Sequence, residues 1–276
     1  MNSLREALLA PSPKGISQQE LLKSMSRDEE DGLGPLTRPV SGSYGIDIAR
    51  TTEGTLWNDL PFLVSDMTKF WMDNCATLSG AHRLNFALFL AKLASTRVSN
   101  DKMSQIALLL FRSVFEDARD LGTAGDADDE DKKRDMRDLT IAQLLPSASV
   151  WINEAGYNII QLSDVSWNDC PSPVGHGGPM FTQSDLGKRC PNGFTPWRWM
   201  FWLKRLHEIR DEAKEANENG LEESAVEAID SMVSNVEERN SEILRAYQNG
   251  GEDLHKDQHL SCLQGLLKSH TENTDS

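Results

Sequence analysis

Phe194-Thr195-Pro196-Trp197-Arg198-Trp199-Met200-Phe201-Trp202-Leu203-Lys204-Arg205-Leu206-His207-Glu208-Ile209-Arg210 is the stretch that decides how this chain folds. Three of the seven tryptophans lie within six residues of it. Thr195 is a good N-cap. Pro196 suits the first helical position, where its missing N–H would have had no partner. A helix is therefore predicted to begin at Thr195. Trp199, Trp202, Leu206, Ile209 and Ala213 follow at 3/4 spacing as one apolar stripe, flanked by Arg198 and Arg205 two turns apart. Large aromatics bury the most area per residue, so this is a central packing helix. Its indoles either close on the core or also wall a ligand cavity.

Outward from that helix the pattern stays helical. A helix is expected from Asn58 or Asp59, with Pro61 in its first turn and Leu63, Met67, Phe70 and Trp71 on one side. A second runs from Ser79 through Val98 and is apolar nearly all round, which marks a buried helix. A third spans Asn100–Leu121, with Gly122 as terminator. Helical pattern resumes at Met136–Leu145, is kinked or restarted by Pro146, and continues over Ser147–Leu162. Leu221–Tyr247 reads as one long amphipathic helix ended by Gly250-Gly251, with a short helix at His259–Lys268. No segment alternates with period two, and no Asn-Gly turn joins two such runs. The fold class is all-α, one irregular bundle of about seven or eight helices. Residues 1–50 read as a weakly ordered segment, with short helices at Leu4–Leu9 and Ser17–Met25. Residues 51–250 form the helical domain and 251–276 a C-terminal tail. Within the domain, the charged insertion 122–134 is expected to be a mobile surface loop. The aperiodic stretch 165–193 is long enough to read as a lid or binding loop.

The composition excludes several classes. The chain has 276 residues, 38% of them hydrophobic, and a formal net charge of −15. Nucleic acid needs clustered Lys/Arg to neutralise phosphates, and no such cluster occurs. The same charge opposes an anionic membrane surface, and no apolar run is long enough to span a bilayer. The opening Met1-Asn2-Ser3-Leu4-Arg5-Glu6 lacks the pattern of a signal peptide. The four cysteines are too scattered for a disulfide framework. A cytoplasmic protein is expected, and a homodimer is compatible with it.

Chemistry is thinly marked. Cys170, His176 and Cys190 share a loop but lack the tight pairing of a zinc site. No nucleophile elbow or glycine-rich phosphate loop appears. The acidic run Asp126, Asp128, Asp129, Glu130, Asp131 and Asp135, with Asp230, Ser234 and Glu238 spaced i, i+4, i+8, loosely resembles the two metal-binding elements of class I terpene cyclases. Lys132 stands where that family's first motif has an aspartate. A solvated acidic face is the simpler reading. What remains is an aromatic-rich interior with a few polar groups, the usual form of a small-molecule site.

Gly193-Phe194-x-Pro196 followed by Arg198-Trp199-x-x-Trp202-x-x-Arg205-Leu206 resembles the C-terminal signature of a fungal all-helical family known only as a domain of unknown function. Leu144-Leu145-Pro146-Ser147-Ala148-x-Val150-Trp151-Ile152 and Asn85-Phe86-Ala87 are similar too. The likeness covers roughly residues 56–212. It implies a filamentous fungus and a setting in specialised metabolism, and it supplies no catalytic residues. In that setting, helical proteins without cofactor motifs include cyclases that fold a reactive polyene or diene.

The favoured expectation is a cofactor-free cyclase for an apolar terpenoid or polyketide intermediate. Ring closure of that kind needs the reacting ends held together, and orientation alone can supply up to ~7–11 kcal/mol. Trp57, Trp71, Trp151, Trp199 and Trp202, with Asn85 and Asn153, would shape the cavity. Arg198, His82 or Tyr157 would donate to a substrate carbonyl. No cofactor is called for. A magnesium-dependent cyclase using Asp230, Ser234 and Glu238, and a non-enzymatic helical ligand-binding or interaction module, are the alternatives.

Overall fold

The computed structural model describes residues 62–97, 99–125, 128–238 and 241–274, together with four two-residue strands between Arg38 and Thr55. Trp57, the Asn58–Pro61 cap and the expected short helices before Met25 lie outside the described residues. The chain divides into two units, Met1–Met72 and Asp73–Ser276. The fold is all-α. Eleven helices occur among the described residues, eight of them of seven residues or more. The strands form only two minimal antiparallel pairs, Arg38–Pro39 with Ile46–Asp47 and Arg50–Thr51 with Gly54–Thr55. No helix among the described residues is long and apolar enough to cross a membrane.

Helix α1 (Leu63–Asn74) begins in the first unit and buries Met67, Thr68 and Trp71. The second unit is organised around three helices. Helix α2 (Gly80–Ser95) is capped by Ser79, whose hydroxyl accepts from the His82 N–H. Its buried side is Arg83, Ala87, Leu90, Ala91 and Ala94, with small residues letting the next helix approach. That helix, α4 (Ile141–Asp164), starts on a capping box between Thr140 and Gln143. Its inner face includes Leu144, Ala148, Trp151, Ile152, Ala155 and Ile159. The tryptophan-rich helix α5 (Pro196–Ala216) starts as its sequence predicts: Thr195 Oγ1 accepts from Arg198 N at 3.0 Å, and Pro196 opens the first turn. The whole stripe Trp199, Trp202, Leu206, Ile209 and Ala213 is buried. Helices α6 (Asn219–Glu237), α7 (Glu242–Gln248) and α8 (Ser261–Thr274) complete the unit, with α6 packed on both α4 and α5.

Four expectations are corrected. The third helix does not run to Leu121. Helix α3 (Gln105–Phe111) widens into a π turn over Arg112–Glu116, and the chain leaves it extended at Asp117. A buried ion pair holds Glu116 there. Pro146 does not restart α4; it sits exposed in the second turn while the helix runs through it. The predicted helix Leu221–Tyr247 is two. Ser241 caps α7 by accepting from Ile243 N, and its hydroxyl donates to Asp164 at the end of α4. Val226, on α6, lies 38% exposed instead of facing inward.

The acidic insertion is also tied down. Asp128 accepts from Arg83 Nη1 at 2.7 Å and pairs with Arg134 Nη1 at 2.8 Å. The Asp128 carbonyl accepts from Gly80 N, and Asp131 N donates to the Thr77 carbonyl. Arg83 is fully buried, so its charge needs a partner, and the insertion supplies it. The remaining acids Asp129, Glu130 and Asp131 face solvent.

Candidate functional site

The chemistry around α5 begins with a carboxylate from the far side of the core. Asp117 N donates to the Arg112 carbonyl five residues back, and this wide turn carries Phe115 and Glu116 inward. Glu116 Oε1 accepts from Arg198 Nε at 2.7 Å and from Trp202 Nε1 at 2.6 Å. Its Oε2 accepts from Arg198 Nη2 at 3.0 Å and from Gly178 N at 2.7 Å. Arg198 Nη1 donates onward to the Gly175 and Gly193 carbonyls at 2.8 and 3.0 Å. Both charged side chains have zero exposure. The pair is therefore a bidentate, fully desolvated bridge, with two donors on each carboxylate oxygen and two carbonyls on Arg198 Nη1.

This bridge explains the Gly-Phe-x-Pro-x-Arg-Trp-x-x-Trp signature physically. Gly193 has φ +71°, a left-handed conformation in which a Cβ would overlap the Trp167 carbonyl. Phe194 packs edge-on against Trp202, with ring centroids 5.9 Å apart. Arg198 and Trp202 grip Glu116. The stretch 165–193 is drawn into the same assembly: Arg112 Nη1 donates to the Pro173 carbonyl, and Gly177 N and Gly193 N form a short bridge with Pro191 and Gly175.

Beside Trp199 and Trp202 lies a small hollow of about 10 Å³. Its walls include Phe111 and Phe115 from α3 and the π turn, Ile152 and Gly156 from α4, and Met232 and Asn235 from α6. A volume of that size holds roughly one water molecule. On the outer side of Asn235 is an open groove between α4 and α6, lined by Asn153, Glu227, Asp230, Ser231, Ser234 and Asn235. A second groove adjoins it, sharing Asp230 and Ser234, and is also lined by His207, Arg210, Ile229, Val233 and Cys262. His207 Nδ1 lies 3.1 Å from Arg210 Nη1; guanidinium only donates, so Nδ1 accepts and the imidazole is neutral. Burial, with Arg210 and His259 nearby, lowers the His207 pKa to about 4.

The sequence-predicted residues fall into three places. Trp199 and Trp202 line the hollow together. Trp151 is fully buried but does not line it, and its Nε1 has no hydrogen-bond partner among the described residues. Trp71 is buried on α1. Arg198 lies beneath the hollow with Glu116 and backbone carbonyls holding its donors. Asn153 is exposed and lines the α4–α6 groove with Asp230 and Ser234, whereas Glu238 is exposed beyond the end of α6. His82, Asn85 and Tyr157 are on the surface. Among the described residues, no three His, Cys, Asp or Glu side chains converge as a metal site. Sequence reasoning missed Glu116, Phe111, Phe115, Gly156, Met232 and Asn235. The available signal was Glu116 itself, an acid directly after the apolar Val114-Phe115.

The chain matches, over residues 13–206, the family described as protein of unknown function DUF3632. It is 56% identical over 235 residues to the oxopyrrolidines biosynthesis cluster protein G of Penicillium oxalicum. That alignment covers 85% of this chain and 66% of the relative, so the chain spans just under two thirds of the relative's length. No solved structure matches it. The match includes the Glu116–Arg198 bridge and most of the hollow's wall, and the chain belongs to the DUF3632 family of fungal helical proteins.

Proposed function

We propose that this protein serves a fungal specialised-metabolite pathway by binding an apolar pathway molecule at the seam between α4 and α6. Two observations support the reading. A relative more than half identical is named for a biosynthesis cluster. The aromatic hollow beside Trp199 and Trp202 abuts the groove that carries Asn153, Ser231 and Ser234, sharing Asn235 with it. Greasy walls beside a few convergent polar groups are what small-molecule sites are built from.

A pericyclic cyclase using the same indoles is the second reading. It needs a closed chamber of several hundred Å³ around the folded substrate. The hollow of about 10 Å³ favours binding at the seam over enclosure in the core. Arg198, with its donors occupied, is a core brace in this reading and not a substrate donor.

The test is twofold. Deleting the gene in the producing fungus should change the pathway's product profile. The purified protein, incubated with extracted intermediates and washed, should retain one of them by mass spectrometry without altering it. Conversion of a linear precursor into a ring by the pure protein would establish the cyclase instead. An unchanged profile together with no retained molecule would remove both readings.

A further inference from the structure

We propose that Asn235, seated against Gly156, is a gate between the α4–α6 groove and the aromatic hollow, and that the gated pocket takes the slender apolar tail of a ligand whose neutral amide or lactam head rests in the groove. This deepens the binding reading above and rests on it.

Asn235 contributes to the walls of both spaces, so it is the partition between them. It occupies a notch that exists because residue 156 has no side chain: a Cβ there would overlap the Asn235 Nδ2. The Asn235 amide makes no hydrogen bond among the described residues, and the side chain is half-buried. It is held by packing alone. Swinging it toward the groove loses no hydrogen bond to the described residues and gains water contacts. Behind it stands Met232, the most deformable of the apolar side chains, able to change rotamer and enlarge a space that now fits one water. Deeper still, the rings of Phe111 and Trp202 meet edge to face at 4.9 Å and form a rigid back wall.

The walls decide the ligand. Inside the gate they are aromatic and aliphatic, with Glu116 turned away into its bridge to Arg198, so only an apolar group is accommodated there. Moving Asn235 alone would clear a passage one side chain wide, which favours an alkyl or polyenyl chain over a fused ring system. Outside the gate, Asn153, Asn235, Ser231 and Ser234 offer amide and hydroxyl hydrogen bonds, while Asp230 and Glu227 place negative charge beside them. A carboxylate head would be repelled; a neutral amide, which both donates and accepts, matches the groove.

The probe is decanamide bearing an ω-bromine, whose heavy atom quenches indole fluorescence on contact. Bound as proposed, it quenches the wild-type protein, and the matching ω-bromo decanoate binds at least about tenfold more weakly through repulsion. If the gate-open state is a minor one, Asn235→Ala should tighten apparent binding by up to about tenfold and speed association. Asn235→Ser, smaller and still polar, should move in the same direction and guards against a folding defect in the alanine variant. Gly156→Ala, which crowds the notch, should alter association in step with the displaced amide. Retention of a pathway molecule by the protein, with no quenching and equal affinity in wild type and both Asn235 variants, overturns the gate and leaves binding in the open groove. Failure of wild type and both variants to bind any bromo-amide overturns the proposed ligand class. Binding of the decanoate as tightly as the amide overturns the assignment of the head.

Discussion

Glu116 and Arg198, 82 residues apart in the chain, meet at 2.7 Å with neither side chain exposed. The carboxylate comes from a π turn and the guanidinium from the first turn of α5. Their pairing fixes where two otherwise independent segments stand. A buried pair of this kind adds little stability over apolar residues, but half of it is costly. Glu116→Ala should therefore lower unfolding free energy by roughly 3–5 kcal/mol. The double change Glu116→Leu with Arg198→Met should recover most of that loss. Urea titrations of the single and double variants check it; a recovery near zero would show that the bridge also fixes the backbone.

Trp202 adds the third hold on the carboxylate, through Nε1 at 2.6 Å. Trp202→Phe keeps a ring against Phe111 and Phe194 but removes one of the two donors on the buried Glu116 Oε1. The expected cost is about 1–3 kcal/mol with an unchanged denaturant slope, read from the shift in the urea midpoint.

Gly193 is required by conformation and by space. Substituting alanine puts a side chain at φ +71°, costing about 1–2 kcal/mol before its overlap with the Trp167 carbonyl is counted. A melting curve for Gly193→Ala should show a loss of at least that size, and the comparison with an exposed glycine such as Gly265, next to which nothing lies within 4 Å, isolates the effect.

Asp128 reads as one acid among many, yet it neutralises the buried Arg83. Asp128→Ala should cost about 1–3 kcal/mol and raise amide hydrogen exchange around Gly80 and Asp131. The neighbouring exposed Asp129→Ala should stay within about 0.5 kcal/mol of wild type. Equal effects from the two changes would mean that the insertion is not anchored through Asp128.

His207 gives the fold a dependence on acid. Unfolded, an imidazole takes up its proton near pH 6.5; here it does so only near 4, chiefly because it is buried and also because Arg210 and His259 lie close, while Asp211 and Asp257 act in the opposite direction. Between those values the unfolded chain binds the extra proton, so lowering the pH favours unfolding. Stability attributable to this residue is complete above pH 6.5 and is lost as the pH falls toward 4. His207→Gln should flatten the melting temperature against pH across that window.

The sequence carried the helices whose signals are local. Thr195 and Pro196 begin α5 where their chemistry requires, and its five-residue apolar stripe is buried throughout. Ser79 caps α2, and the 3/4 pattern of α4 survives Pro146 because the proline lies in an exposed second turn. The family likeness read from Gly193, Arg198, Trp199 and Trp202 is that of the family to which the chain belongs. The pattern over Asn100–Leu121 failed where a distant charge intervened, since periodicity cannot register that Glu116 is pulled inward by Arg198. The long helix at Leu221–Tyr247 failed because Ser241 finds a partner in Asp164, on another helix.

By itself, then, the sequence determined an all-helical chain with an aromatic helix at its centre, because caps, prolines and apolar periodicity act within a few residues. Only the tertiary structure decided what that aromatic helix holds. Whether indoles enclose a ligand or clamp a carboxylate depends on groups brought from 33 to 86 positions away, among them Asn235, Gly156 and Glu116, and no local pattern encodes their meeting.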